Sequence, residues 1–256
     1  MKSKSVFFTA LAVAAVLSPT LATASVSYAY SFNDGLRPDT LSASASPGFS
    51  LDFSTGAAVL TKQSGAGNGS AQIVTTFDLV GDFTATVDIF RNTLERVADA
   101  GIYVFNATGS AGIYAEGPGG ESGLNSIVSY VSLPNSLPPA QRYSGYGSNR
   151  QFANTGGLSQ FRITRTGNSL NLFTNQGIGF VQFQATATST LVGGPLTLGL
   201  FLSQGVGNTS RHQVTFDNLT ISADSVSAVP EPSIWALALV GLCGVLVRAR
   251  HNLLRH

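Results

Sequence analysis

Charged residues are scarce in this chain of 256 residues, making up 11% of it where soluble domains average about 25%. The net charge of +1 excludes a strongly basic nucleic-acid binder. The single cysteine, Cys243, excludes a disulfide framework and a cysteine-cluster metal site. Three histidines leave little material for histidine-based catalysis. A hydrophobic content of 43% argues against a disordered chain.

The first 24 residues have the order of features of a secretory signal peptide. Lys2 and Lys4 precede the apolar run 6–17, which is too short for a permanent membrane span. Ala22 and Ala24 then supply the small side chains that signal peptidase requires. We expect cleavage by signal peptidase after Ala24. The alternative is a buried helix of the folded domain.

The last residues have the features of a marginal membrane anchor. A small-residue linker from Ser225 leads to an uncharged run at about 234–247, which we expect to form a transmembrane helix. At about 1.5 Å per residue the run falls short of the ~30 Å hydrocarbon core. The tail 248–256 holds three arginines, which favour the cytoplasmic side. An ordinary single-pass anchor is the alternative to a temporary one.

The segment before this run carries Pro230, Glu231 and Pro232, where proline keeps the backbone extended. Together with the apolar helix and the basic tail, it resembles the PEP-CTERM sorting signal of Gram-negative bacteria that produce exopolysaccharide. The resemblance implies exosortase as a partner, cleavage near Pro230-Glu231-Pro232, an intermediate anchored in the inner membrane, and a final location at the cell surface or outside the cell.

Between the two ends, residues 25–224 are predicted to form one all-β domain, with 225–256 as linker and sorting segment. Short β-branched and aromatic runs alternate with Gly, Ser, Thr and Asn. Segment 91–100 is either a short helix or a charged loop, and Thr166-Gly167-Asn168 is predicted as a hairpin turn. The predicted strands are Ser27–Phe32, Phe49–Phe53, Ala57–Lys62, Gln72–Leu79, Phe83–Phe90, Gly101–Asn106, Ser126–Leu133, Gln160–Thr166, Ser169–Thr174, Gly179–Ala185, Leu196–Leu202 and Gln213–Ser222.

Three segments of this domain, 30–35, 161–173 and 214–221, resemble the jelly-roll sandwich of concanavalin-like lectins and glucanases. The resemblance implies that the first and last strands lie side by side. Its sugar-cleaving members alternate carboxylates along one strand. Here Asp82 and Asp88 are too far apart for that pattern, and Glu116 falls in a segment predicted as a solvated turn. His212 is predicted to be a surface residue. We therefore expect no catalytic residues and no enzymatic activity.

Two further sites are predicted. The resemblance implies a structural calcium ion tying the first and last strands through Asp34 and Asp217, the alternative being an Asx turn at Asp34 and a surface position at 217. No other cofactor is expected. The long segment 134–157 is the candidate sugar-binding loop, with tyrosines to stack on sugar rings and polar side chains to bond hydroxyls. Its predicted ligand-binding residues are Arg142, Tyr143, Tyr146, Asn149 and Arg150.

These features favour an exported, non-enzymatic component of the cell surface or of an exopolysaccharide or biofilm matrix. The second hypothesis is a lectin-like carbohydrate-binding protein that acts through the 143–150 region or the concave sheet face. A glycan hydrolase or lyase is the third hypothesis, and it would require acids clustered on one face. Nucleic acid is not expected as a partner, because the middle domain is mildly acidic.

Overall fold

The structure is a computed structural model that describes residues 25–93, 98–116, 126–132, 150–151, 158–187, 191, 193–204 and 210–228. Within those ranges no helix is long and apolar enough to cross a membrane. The predicted signal peptide and transmembrane helix lie outside them. The described strands are β1 (Val26–Tyr30), β2 (Leu41–Ala45), β3 (Phe49–Asp52), β4 (Ala58–Lys62), β5 (Gly69–Thr93), β6 (Ala98–Asn106), β7 (Gly109–Glu116), β8 (Ser126–Ser132), β9 (Arg150–Gln151), β10 (Leu158–Thr166), β11 (Ser169–Asn175), β12 (Phe180–Ala187), β13 (Leu196–Gln204) and β14 (His212–Ala228).

The long strand β5 belongs to two layers of antiparallel sheet. Its first part, 69–79, pairs with β13 on one side and with β2 on the other. Its second part, 83–93, pairs with β10 and β14. The first layer continues from β13 through β6, β7 and β8 to β9, and the second continues from β10 through β11 to β12. Beyond β14, the second layer is extended by β1 and β4, and β3 pairs with β4.

The transition between the two parts of β5 lies at Gly81. This residue has φ of +75°, in a region that side chains with a Cβ rarely adopt. A Cβ atom here would lie only 2.8 Å from Cβ of Asp224 on β14. The carboxylate of Asp224 accepts the backbone N–H of Asp82 at 2.8 Å, which fixes the bend against the last strand. Glycine is therefore required at this position by both backbone conformation and space.

The two layers enclose one hydrophobic core. From the first layer it receives alternate residues of β6, β7, β8 and β13, such as Ile102 and Ile113, which are fully buried. From the second it receives alternate residues of β5 and β10, such as Val87, Phe161 and Ile163. Strands β6 and β7 lie against β10, to which they are not hydrogen-bonded. This is the arrangement of a β-sandwich, in which each strand turns one side to the core.

The first strand pairs along its whole length with the last strand, which the resemblance to concanavalin-like proteins implies. Val26 lies opposite Ala223 and Tyr30 opposite Leu219. Strand β14 remains paired with β5 as far as Ala228, which lies opposite Phe77. Residues 225–228, assigned from sequence to the linker, are thus part of the sheet. Both ends of the described domain leave it from neighbouring strands.

Most predicted strands are confirmed within one to a few residues, and the turn at Gly167 and Asn168 joins β10 to β11 as predicted. Two predicted strands, 72–79 and 83–90, are one continuous strand, β5. Strands β2, β7 and β9 were not predicted. Segment 91–100 lies partly in β5 and partly in β6, so its described parts are strand and neither of the predicted alternatives.

The prediction that His212 lies on the surface is wrong. Its side chain is fully buried at the start of β14, opposite the equally buried Lys62 of β4. The ammonium group of Lys62 donates a hydrogen bond of 2.9 Å to the carbonyl of Ser210. Burial disfavours the charged form and lowers the pKa of Lys62.

Replacing Gly81 with alanine is expected to lower the free energy of unfolding by about 1–3 kcal/mol, because it adds backbone strain and a clash with Asp224. Gly65→Ala is the matched control, since Gly65 has φ of +79° but a Cβ atom there would meet no heavy atom within 4 Å. Urea unfolding of both variants measures the difference. Equal losses at the two positions would contradict the packing role of Gly81.

Candidate functional site

The outer side of the first layer carries a row of aromatic side chains, here called the aromatic face: Tyr103, Phe105, Tyr114, Tyr130 and Phe201. Their neighbours in sequence point into the core, so strand alternation sends these rings outward. The ring centroids follow one another in contact: Tyr130 to Tyr114 at 5.9 Å, Tyr114 to Phe201 at 6.2 Å, Phe201 to Tyr103 at 5.5 Å and Tyr103 to Phe105 at 5.3 Å. The face is thus continuous across four strands.

Glycines lie opposite the rings in the neighbouring strands. Gly101 is paired with Tyr114 on β7 and with Phe201 on β13. Gly112 is paired with Tyr103 on β6 and with Tyr130 on β8. A Cβ atom at Gly112 would lie 2.8 Å from both the Tyr103 Cβ and the Tyr130 ring. The missing side chains leave the space that the rings occupy, so the rings lie low over the sheet.

The sequence contains a signal for this arrangement that the sequence analysis missed. The tripeptide Gly-Ile-Tyr occurs at 101–103 and again at 112–114. In the antiparallel β6–β7 pair each glycine faces the tyrosine of the other copy, and Ile102 faces Ile113. The repeat therefore encodes a reciprocal exchange of large and small residues across two strands.

Polar groups border the aromatic face on the β5 side. The Tyr103 hydroxyl donates to Oε1 of Gln72 at 3.0 Å. The Gln72 amide in turn donates to the Ser44 hydroxyl of β2 at 3.1 Å. Hydrogen bonds of this kind hold the tyrosine ring in one orientation and leave further lone pairs for a ligand.

Two carboxylates lie at the β6–β7 end of the same face. Asp99 and Glu116 are directly opposite each other in the β6–β7 register, where Cβ atoms are about 4.5–5.5 Å apart. Glu116 ends β7 and is only 5% exposed. Its prediction as part of a solvated turn is therefore wrong. The pair brings Glu116 together with Asp99, an acid that was not among the residues considered from the sequence.

Burial changes the acidity of two tyrosines of the face. Desolvation raises the pKa of Tyr103 to about 12. Desolvation also raises the pKa of Tyr130 to about 12; the charges of Tyr103 and Asp99 add to this, and a hydrogen bond with Ser110 opposes it. Both hydroxyls are therefore neutral over the whole physiological range, and they act as hydrogen-bonding groups without charge.

In the sequence, the predicted sugar-binding loop follows β8, a strand of the layer that carries the aromatic face. Arg142, Tyr143, Tyr146 and Asn149 lie outside the described residues. Arg150 begins the short strand β9, where its backbone pairs with Ile127 of β8. Segment 133–149 thus connects β8 to the strand beside it, in the layer that carries the aromatic face.

The two predicted calcium ligands form local hydrogen bonds. The Asp34 carboxylate accepts the backbone N–H of Leu36 at 3.1 Å, which is the Asx turn of the alternative interpretation. The Asp217 carboxylate accepts the N–H of Asn218 at 2.7 Å. Across the described ranges, no group of three or more His, Cys, Asp and Glu side chains is placed to hold a metal ion. Calcium binding stays a prediction.

The predicted processing residues Ala24, Pro230, Glu231 and Pro232 all lie outside the described residues. The folded domain reaches close to each of them, because β1 begins at Val26 and β14 ends at Ala228.

Comparison with solved structures identifies the fold. It is similar to that of a β-1,3-glucanase from Mycobacterium marinum, with a TM-score of 0.57 and 11% identity over 76% of this chain and 97% of that one. A glycosyl hydrolase family 16 protein from Mycobacterium smegmatis matches with a TM-score of 0.54 and 12% identity over 76% and 98%. An immunostimulatory antigen and pseudo β-1,3-glucanase of Mycobacterium tuberculosis matches with a TM-score of 0.56 and 12% identity over 77% and 98%.

The chain therefore has a glucanase-type jelly-roll fold. This confirms the all-β, concanavalin-like sandwich predicted from the sequence. No protein-family model matches the chain, and no curated protein matches it in sequence. At these identities the likeness concerns the fold alone.

The raised tyrosine pKa values predict a loss of stability in alkali. Tyr103 and Tyr130 titrate near pH 10 when the protein is unfolded and at about 12 when it is folded. Their contribution to the free energy of unfolding is therefore complete below pH 10 and is lost between pH 10 and 12. In the double variant Tyr103→Phe, Tyr130→Phe, the fall of the free energy of unfolding over that range should be smaller. Urea titrations at a series of pH values measure it. An unchanged fall would show that these hydroxyls are not buried as described.

Proposed function

We propose that this chain is an exported carbohydrate-binding protein without enzymatic activity, whose aromatic face holds a neutral polysaccharide. The observation that carries the proposal is the continuous row of five rings, four of which have a glycine opposite them in a neighbouring strand. Aromatic rings combine a broad apolar surface with polar edges, which suits the apolar C–H faces of sugar rings. An extended row matches a polymer better than a single small molecule.

The charge of the face supports a neutral ligand. Strands β6, β7, β8 and β13 contain only two charged residues, Asp99 and Glu116, and both are acids. An anionic polysaccharide would meet like charge here, with no lysine or arginine on these strands to compensate. Hydroxyl groups of a neutral sugar can instead bond the amide of Gln72 and the hydroxyl groups of the tyrosines.

The proteins with a similar fold suggest which polysaccharide to use in a binding test. They include one protein described as a β-1,3-glucanase and another described as a pseudo β-1,3-glucanase. The second description is of a protein with this fold and without the activity that the first has. A soluble β-1,3-glucan is therefore a reasonable first ligand to test on this chain, next to other neutral glucans.

A second candidate function, glycan hydrolysis, is favoured by one observation. Asp99 and Glu116 lie on neighbouring strands at the end of the aromatic face. Retaining glycosidases use two carboxyl groups about 5–5.5 Å apart, and two acids directly opposite each other on neighbouring strands are the kind of pair that can supply them. These two acids lie on two different strands. The sugar-cleaving members of the fold instead carry alternating carboxylates along one strand, so we propose glycan binding ahead of glycan hydrolysis.

We further propose that the chain reaches the cell surface or the exopolysaccharide matrix after processing at both ends by signal peptidase and exosortase. The resemblance of the 229–256 segment to the PEP-CTERM signal carries this part of the proposal. We also propose that Asp34 and Asp217 hold a structural calcium ion.

Replacing Tyr114 with alanine is expected to weaken binding of a soluble β-1,3-glucan on the order of tenfold, because Tyr114 is the link between Tyr130 and Phe201. Isothermal titration calorimetry measures the affinity. Phe90→Ala is the matched control, since Phe90 is an aromatic residue 37% exposed on β5 outside the aromatic face, and it should bind like the unmodified protein.

Equal affinity of the Tyr114 and Phe90 variants would contradict binding at the aromatic face. A steady release of reducing ends from the glucan, abolished by Glu116→Gln, would overturn the non-enzymatic part of the proposal and establish the second candidate.

Replacing Pro230, Glu231 and Pro232 together with alanine should leave the full C-terminal segment on the protein and retain it in the inner membrane of a host that has an exosortase. Intact-mass analysis of membrane and extracellular fractions measures the outcome. Release of a shortened product from this variant at the normal rate would refute processing by exosortase.

A further inference from the structure

A cavity of about 340 Å³ lies at the bend of β5, on different elements from the aromatic face. Its walls come from three places: Gly81 and Asp82 of β5, the β10–β11 turn at Gly167 and Asn168, and residues 193–195 before β13. This volume is at the lower end of the range of about 300–1,000 Å³ for small-molecule sites. The β10–β11 and pre-β13 walls contribute glycine backbone, and Val80 and Pro195 add apolar surface.

A buried arginine holds these walls together. Arg165 is 5% exposed, and its Nη1 donates to the carbonyl of Gly194 at 2.7 Å. Its Nε donates to the carbonyl of Gly81, and its guanidinium lies 5.4 Å from the centroid of the Phe83 ring. One side chain thus joins the bend, the pre-β13 segment and the core. The cavity is preformed, with walls fixed before any ligand arrives.

The cavity contains hydrogen-bonding groups with spare capacity. One oxygen of Asp82, Oδ1, accepts the N–H of Gly167 at 2.7 Å and so ties the turn to β5. The other oxygen, Oδ2, accepts no hydrogen bond from any residue in the described ranges, and the exposed Asn168 amide forms none there either. A carboxylate oxygen accepts, and an amide both donates and accepts.

Bare backbone leaves room beside these groups. A Cβ atom at Gly167 or at Gly194 would meet no heavy atom within 4 Å. A ligand can therefore approach the main chain of both glycines more closely than it could approach a residue with a side chain.

The charge of the cavity limits the ligand further. The one positive group, Arg165, lies near the two negative groups Asp82 and Asp224. A phosphate or carboxylate ligand would meet the two acids, and a metal ion would meet the guanidinium while finding only one lining carboxylate with a free oxygen. A neutral ligand with several hydroxyl groups avoids both penalties.

We propose that this cavity is a second carbohydrate site, which binds one neutral pyranose ring through Asp82 Oδ2 and the Asn168 amide. Neighbouring hydroxyls of the sugar donate to the carboxylate and bond the amide, while the C–H face lies against Val80 and Pro195. The site shares no residue with the aromatic face and does not depend on it. A protein with both sites can bridge two glycan chains, which suits a matrix component.

The test is a titration of the isotopically labelled protein, followed by amide NMR, with glucose, galactose and mannose at up to roughly 100 mM, the range expected for weak single-ring binding. Amide signals of Gly167, Asn168 and Gly194 are expected to shift with at least one of these sugars, and less with glucuronate, its anionic counterpart. Asn168→Ala should weaken that binding about three- to tenfold, the effect of losing one or two hydrogen bonds.

Asn68→Ala is the matched control, because Asn68 is also an exposed asparagine in a glycine-rich turn. It should leave the affinity unchanged, as should Tyr114→Ala, which separates this site from the aromatic face. The absence of shifts at the three cavity amides with all three neutral sugars would overturn the proposal, as would equal effects of Asn68→Ala and Asn168→Ala. Asp82→Asn, which keeps the acceptor for Gly167, provides a second variant expected to lose affinity.

Discussion

The bend of β5 at Gly81 sets how the two layers of sheet are placed. The strand pairs with β13 and β2 before the bend and with β10 after it, while β14 pairs with residues on both sides. The two layers therefore cannot be arranged independently, since one strand sets the position of both. Asp224 on the last strand holds the bend through the N–H of Asp82. The last strand, β14, is thus attached to β5 at the bend. The cavity beside Gly81 lies at this bend as well.

Both proposed binding surfaces lie where small residues take the place of larger side chains. On the first layer, glycines at 101 and 112 leave space for the rings of the paired strands, so a continuous row of aromatic side chains forms in tilted and edge-to-face contact. At the bend, glycines at 167 and 194 leave main chain open to a ligand. At the aromatic face and at the bend, glycines leave space at the surface. The aromatic or polar groups beside them are the ones that we propose contact a ligand.

The sequence predicts the second layer better than the first, for physical reasons. Strands β10 and β11 alternate large apolar and polar residues, which is a strong local signal. Strand β7 instead faces the core with Ala111, Ile113 and Ala115, and its first half, Gly-Ser-Ala-Gly, consists of small residues, so its pattern resembles a loop. From the sequence, ligand contacts were predicted in the long loop or on the concave sheet face, and no ring of the aromatic face was named. The buried positions of Glu116 and His212 depend on cross-strand partners far away in the chain, which no local pattern contains.

Glycan binding at the aromatic face over Gly101 and Gly112 can be observed in a crystal structure of the protein with a β-1,3-linked glucose oligosaccharide. We expect sugar rings stacked on the Tyr114 and Phe201 rings, with hydroxyls bonded to polar groups such as Gln72. An oligosaccharide bound elsewhere on the domain, with the five rings of the face left in contact with solvent, would contradict it.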